Sequence, residues 1–255
     1  MRDGDVDFGD SVFRHFMDMF IGPEIVRRQA QGEAPVPYPL ERALVVFHSD
    51  GRSPEVRLNG EVKAQIKVKL SESVTEPVKV GDPVLAHHIA SIERTSLVES
   101  EDQNCGHALI ILIGDKWCVS FDFVYNKALS REHLRVASQF LDAATSACTR
   151  GHWPVVVDTL CSASELTAKA YLLGAPDESL LRAKSHGLIS SRTNLHGKLG
   201  NLDPKHVDGF NRIWGLRHDA RYLRGDLSIS EEEASGLLNR LRQFYSFVEG
   251  RLGDL

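Results

Sequence analysis

The chain has 255 residues, of which 42% are hydrophobic and 25% charged, with a formal net charge of −5. This is enough apolar material to bury a core without a metal or disulfide staple. The acidic balance excludes polyanion binding by bulk charge, so any nucleic-acid or nucleotide site must be local. Cys105, Cys118, Cys148 and Cys161 form no CxxC pair and read as small buried hydrophobes of a reducing compartment. No basic start leads into an apolar run, and no stretch approaches about 18 apolar residues. The composition therefore implies a cytoplasmic protein with no membrane partner, no metal and no cofactor.

Along the chain, Val12, Phe13, Phe16, Met19 and Phe20 fall at helical spacing. Gly22-Pro23-Glu24 interrupts that helix, and Pro23 suits the first turn of a second one ending near Gln31. This amphipathic segment packs either on a partner or across its own sheet. Pro35, Pro37 and Pro39 make an extended connector.

A β-rich region follows. Ala43 to Phe47 is a compact apolar run, and Asp50-Gly51 marks a turn. From Glu61 to Leu70 the apolar residues Val62, Ala64, Ile66, Val68 and Leu70 alternate with Lys63, Gln65, Lys67 and Lys69, the pattern of a half-buried antiparallel strand. Val84 to Leu97 suits one long or bent strand; His87 and His88, adjacent on it, would point to opposite faces. His107–Ile113 and Lys116–Tyr125 flank Gly114-Asp115, a two-residue hairpin signal. Five or six strands result, all antiparallel.

From Ser130 the apolar period lengthens to that of a helix. Leu134, Ala137, Phe140, Leu141, Ala144 and Cys148 form one stripe, ended by Gly151. Pro154 opens a second helix, closed by Gly174, whose inner face of Val157, Leu160, Cys161, Ser164 and Ala168 is rich in small residues. A third helix spans about His186 to Leu199. Asp203-Pro204 starts a fourth, with Val207, Phe210, Ile213 and Trp214 inward. Ser230 and Glu233 make a capping box for a fifth. Long helices with short connections imply an antiparallel bundle. The fold class is thus α+β: a mainly antiparallel β domain with N-terminal helices over residues 1–128, then a bundle of four to five helices over 129–255.

Between Arg182 and Arg224 there are nine Lys or Arg and only three Asp or Glu, together with His186, His196, His206 and His218. Arg217, Arg221 and Arg224 share one helical face, where like charges cost roughly 0.2–0.5 kcal/mol per pair. The offsetting partner is either a bound anion, which the arginine fork suits, or an internal acid such as Glu165 or Glu231 to Glu233.

The segments Phe140-Leu141-Asp142-Ala143-Ala144, Ser162 to Leu173, and Leu216-Arg217-His218-Asp219-Ala220-Arg221-Tyr222 together resemble the HEPN superfamily of helical nucleotide- and RNA-associated domains. The resemblance covers the C-terminal half only. It implies a bundle that commonly forms a homodimer and binds RNA or nucleotide. In active members of that superfamily, an arginine and a histidine separated by four to six residues cleave RNA without a metal at the dimer interface. Histidine would shuttle protons and arginine would stabilise the phosphorane.

Arg212 and His218, with five residues between them, meet the spacing. Arg217, followed by His218-Asp219, looks more like the motif arginine. The positions for histidine then hold Tyr222, Leu223 and Arg224. Arg217 to Tyr222 also resembles a subgroup with Arg-x-x-Ala-Asp-Tyr, with Arg221 replacing its acid. The resemblance thus implies Arg217, Arg221, Tyr222 and Arg224 as phosphate-binding candidates, and Arg212, Arg217 and His218 as catalytic ones. Three functions stay open: a binding or regulatory protein in a stress or phage-defence setting; a toxin-like metal-independent endoribonuclease; and an interaction protein whose arginines only bridge helices.

Overall fold

Helix α1 (Phe8–Phe16) runs through a π turn, Met17–Ile21, directly into α2 (Gly22–Ala30). The computed structural model describes residues 8–75, 77–79, 81–99, 102–182, 185–222 and 229–253, without the side chains of Phe8 and Tyr222. Gly22-Pro23 therefore does not break the helix, as the sequence suggests. Gly22 N–H instead reaches back five residues to Met17 O. A Cβ on Gly22 would stand 2.9 Å from that carbonyl oxygen, so glycine permits the wide turn.

Six strands follow: β1 (Arg42–Phe47), β2 (Glu55–Leu58), β3 (Ala64–Leu70), β4 (Ile89–Leu97), β5 (Gly106–Ile113) and β6 (Lys116–Asp122). They form a four-stranded sheet in the order β2-β1-β5-β6 and a two-stranded sheet β3-β4. Every pairing is antiparallel. Gly114, at φ +65°, takes the first central position of the β5–β6 hairpin, as the turn signal requires.

The run Ala43 to Val46 is buried on both sides, and the packing explains why. Ala43 and Val45 share a cluster with Ile21, Phe13, Phe16 and Phe20 from the helical segment. Leu44 and Val46 share the opposite one with Ile66 of β3 and Leu97 of β4. The amphipathic N-terminal helix thus lies across its own sheet. The predicted strand from Val84 begins with a 3-10 turn at Ala86–His88, which brings the rings of His87 and His88 into an edge-to-face contact rather than onto opposite faces.

The helical half comprises α3 (Lys127–Cys148), α4 (Trp153–Leu173), the single turn α5 (Glu178–Leu181), α6 (His186–Lys198), α7 (Pro204–Tyr222) and α8 (Glu231–Leu252). By contact density the chain divides into Met1–Phe123 and Val124–Leu255. Helix α4 is the centre of the second unit, packed against α3, α6, α7 and α8. Its small residues allow this: Ala163, Ala168 and Cys161 are fully buried, and Ser164 Oγ donates back to the Cys161 carbonyl at 2.9 Å. Burial pushes the Cys161 thiol up to about 12. It stays protonated and donates to Ile213 O of α7 at 3.3 Å.

Two further contacts set α7 on α6. Asn194 and Asn211 exchange amide hydrogen bonds at 2.8 and 3.2 Å. A Cβ on Gly197 would meet Val207 Cγ2 at 2.7 Å, so the helices approach more closely there than any other residue would allow. No helix among the described residues is long and apolar enough to cross a membrane.

Candidate functional site

Helix α7 carries the candidate residues, and its geometry sorts them. At about 100° per residue, Arg217 and Arg221 lie about 40° apart. Arg212 lies about 140° from Arg217 and about 120° from His218. Arg217 and Arg221 are therefore brought together, while Arg212 is turned to another side of the helix.

On that other side, Arg212 Nε donates to Glu233 Oε1 of α8 at 2.7 Å. This uses the acid that the capping motif would have returned to the start of α8. Ser230 Oγ accepts from Glu233 N–H at 3.1 Å, so half of the capping box forms. Glu233 is thus one of the internal acids that the sequence offers to this helix, paired with Arg212.

The Arg217/Arg221 pair faces a residue that sequence reasoning missed. Asp158 of α4 accepts from Arg221 Nε at 2.7 Å and stands 3.9 Å from Arg217 Nε. Glu165, the acid that the sequence offers for this role, stands instead 3.8 Å from His186 Nδ1. Burial foremost lowers the pKa of His186; the charge of Glu165 opposes this and that of Arg217 adds to it. That imidazole is neutral at pH 7, so the contact is not an ion pair there.

Arg217 is held by an aromatic stack. Its guanidinium lies 4.3 Å from the centre of the Trp214 ring, one helical turn earlier. Trp214 in turn stacks face to face on His186 of α6, with 23° between the planes. A cation over tryptophan gains roughly 0.5–2 kcal/mol and fixes the side chain's direction. Arg217 Nε is buried and makes no hydrogen bond among the described residues. The rest of the group reaches solvent: the side chains of Arg217 and Arg221 are 25% and 46% exposed.

His218 sits beside this pair, 60% exposed, with Nδ1 3.7 Å from Asp219 Oδ1. The side chain of Tyr222, and Arg224 altogether, lie outside the described residues. Trp214, three residues before Arg217, was legible as a helical neighbour. Asp158 was not, because no local pattern joins it to α7.

Arginine N–H groups presented side by side suit the oxygens of phosphate. No group of three or more His, Cys, Asp or Glu among the described residues is placed to hold a metal ion.

Residues 130–251 match the HEPN domain family. The N-terminal part matches no family, and no curated protein matches the chain. The match spans all of α4, α6 and α7 and most of α3 and α8; the C-terminal half of this chain is a member of the HEPN domain family.

Proposed function

We propose that the HEPN domain binds RNA, or another nucleotide-type phosphate ligand, through the α7 face formed by Arg217 and Arg221, in a binding or regulatory role. HEPN membership supports a nucleotide- or RNA-related function at the coarse level. The observation that carries the finer reading is the arrangement around Asp158: two guanidinium groups converge on one carboxylate, and both remain open to solvent. A phosphate can bind the outward N–H edges while Asp158 and Trp214 hold the inner ones. Arg224 and Tyr222 belong to the same proposal as flanking contacts. Homodimerisation through the helical domain, common in HEPN domains, would set two such faces together. A stress or phage-defence setting accords with the family and is part of this reading.

The test is titration of a short fluorescent single-stranded RNA at rising salt. Wild-type affinity should fall steeply between about 50 and 200 mM salt, as expected when phosphate contacts release counterions. Arg217→Ala/Arg221→Ala should lose that binding with helicity intact. Equal binding by the double variant removes these residues from the site.

A second reading, metal-independent RNA cleavage, draws on one observation: His218 is exposed and next to Arg217. Arg212 is on the α8 side, so an Arg212/His218 pair is not assembled within one chain and would need a second copy. This reading expects cleavage that survives EDTA and disappears in His218→Ala. RNA left whole at every pH from about 6 to 8 would sink it.

A further inference from the structure

Helix α4 is buried along most of its length, and beyond its first turn what it leaves open is mostly polar. From Val156 to Leu173 its partly exposed positions are Asp158, Thr159, Ser162, Glu165, Leu166 and Lys169. Steps of four, three and four residues put Asp158, Ser162, Glu165 and Lys169 on one stripe. Asp158 is engaged by the α7 arginines. Glu165 and Lys169, farther along, line a groove of about 430 Å³ with His133 and over Phe140, Leu166 and Ile189.

His133 gives the groove its second observation. Its Nε2 is buried and has no hydrogen-bond partner among the described residues. Burial, and after it the charge of Lys169, pulls the imidazole pKa below its ordinary value. The ring is therefore neutral near pH 7. A buried polar nitrogen at a groove wall gains a bond only if something occupies the groove. Among the described residues, Glu165, 28% exposed, has its carboxylate 3.8 Å from the neutral His186 and forms no ion pair with a lysine or arginine.

The walls thus present an acceptor-only carboxylate, a cationic donor, the Ser162 hydroxyl, a neutral imidazole and an apolar floor with one aromatic ring. A flat heterocycle with two adjacent N–H donors on one edge and acceptors on the other matches this set. Among nucleobases, guanine has that pattern: ring N–H and exocyclic amine side by side, with O6 and N7 on the opposite edge. Adenine and cytosine carry an exocyclic amine beside a ring acceptor, and the uracil N–H is flanked by two carbonyls that repel a carboxylate. We propose that the groove between α3, α4 and α6 recognises a guanine base, free or in an RNA strand, with Glu165 reading its donor edge. Glu165 lies about 10 Å along α4 from Asp158, so the base and a phosphate at Arg217/Arg221 would share one face. This extension rests on the proposed RNA or nucleotide function.

The two claims separate by ligand. Guanosine and adenosine lack phosphate and so probe the groove without the arginines. Calorimetric titration of the full chain should give guanosine at least tenfold tighter than adenosine. Glu165→Gln should erase that difference, and Lys169→Met should weaken guanosine, with both variants retaining wild-type circular dichroism. A single-stranded RNA lacking guanine should bind wild type and Glu165→Gln alike and fail with Arg217→Ala/Arg221→Ala. Guanosine that does not bind, binds no tighter than adenosine, or binds Glu165→Gln undiminished overturns the groove assignment whatever the RNA does. Loss of RNA binding to wild type alone, with guanosine still discriminated, counts against the α7 face and leaves the groove.

Discussion

Two arginine clusters, one in each half, are built in opposite ways. In the N-terminal unit, Arg28 and Arg57 are each surrounded by several acids. Arg28 donates to both Glu24 and Glu61, and Arg57 to both Glu55 and the buried Asp102, with Glu99 at 3.5 Å. On the α7 face of the HEPN half the ratio among the described residues is reversed, with Arg217 and Arg221 both turned to Asp158. The first arrangement tethers: Arg28 of α2 holds Glu61 next to β2, and Arg57 of β2 holds Asp102 before β5. The second presents positive charge on a rigid helix. An arginine's partners, rather than its identity, separate a strut from a candidate ligand contact.

The largest effect that would sharpen this contrast is on stability. Asp102 is only 5% exposed, so Arg57→Ala leaves a buried carboxylate without its main partner. Thermal denaturation should register a loss of about 3 kcal/mol. Arg217→Ala and Arg221→Ala remove partly exposed groups and should cost about 1 kcal/mol or less each. If the α7 substitutions destabilised the fold as much as Arg57→Ala, the arginines of both halves would be struts, and the interaction-protein reading would gain.

Acid should separate the halves next. In the N-terminal unit, hydrogen bonding and charge from Arg27 and Arg28 hold the Glu24 carboxyl at about 2, and Arg28 lowers Glu61. These groups stabilise the fold above the unfolded carboxylate pKa and lose that contribution as pH falls toward 2. In the helical half, burial lowers His133, His186, His196 and His206. The unfolded chain takes up those protons first, so stability there begins to fall as pH drops below about 6.5. Ellipticity at 222 nm and tryptophan emission, recorded from pH 8 to 3, should therefore place loss of the helical half at the higher pH. The reverse order would contradict the burial of these imidazoles.

Much of this architecture was legible in the sequence. The helical spacing from Leu134 to Val248, with Pro154, Pro204 and Ser230 as starts, gave the long helices of the bundle. The alternation from Val62 to Leu70 gave β3. Strand β2 was missed because Glu55-Val56-Arg57-Leu58 is four residues with two apolar members, too short for a period to register. The continuous N-terminal helix was missed because Gly22-Pro23 reads as a stop, and only packing on the sheet makes a π turn the better solution. At the site, the pairing of Arg217 with Arg221 and the neighbouring Trp214 follow from spacing on one helix. Asp158, Glu165 and His186 reach them only through the docking of α4 and α6, which no local pattern encodes.

A smaller effect probes the carboxylate itself. Asp158→Asn removes a carboxylate charge that faces both arginines while keeping a hydrogen-bond acceptor. RNA affinity should rise a few-fold, roughly 0.5–1 kcal/mol by the usual conversion, with little change in melting temperature. Unchanged affinity would mean that Asp158 does not tune the α7 face.

The salt dependence of RNA binding reports most directly on whether this face meets phosphate. Affinity for one single-stranded RNA, measured across salt for wild type and for Arg217→Ala/Arg221→Ala, gives two slopes of log K against log salt. If both arginines meet the backbone, the variant's slope should be shallower by roughly 1.4, about 0.7 for each phosphate no longer neutralised, with binding weakened at every salt concentration. Superimposable lines would place the phosphate elsewhere and leave Arg217 and Arg221 as bridges to α4.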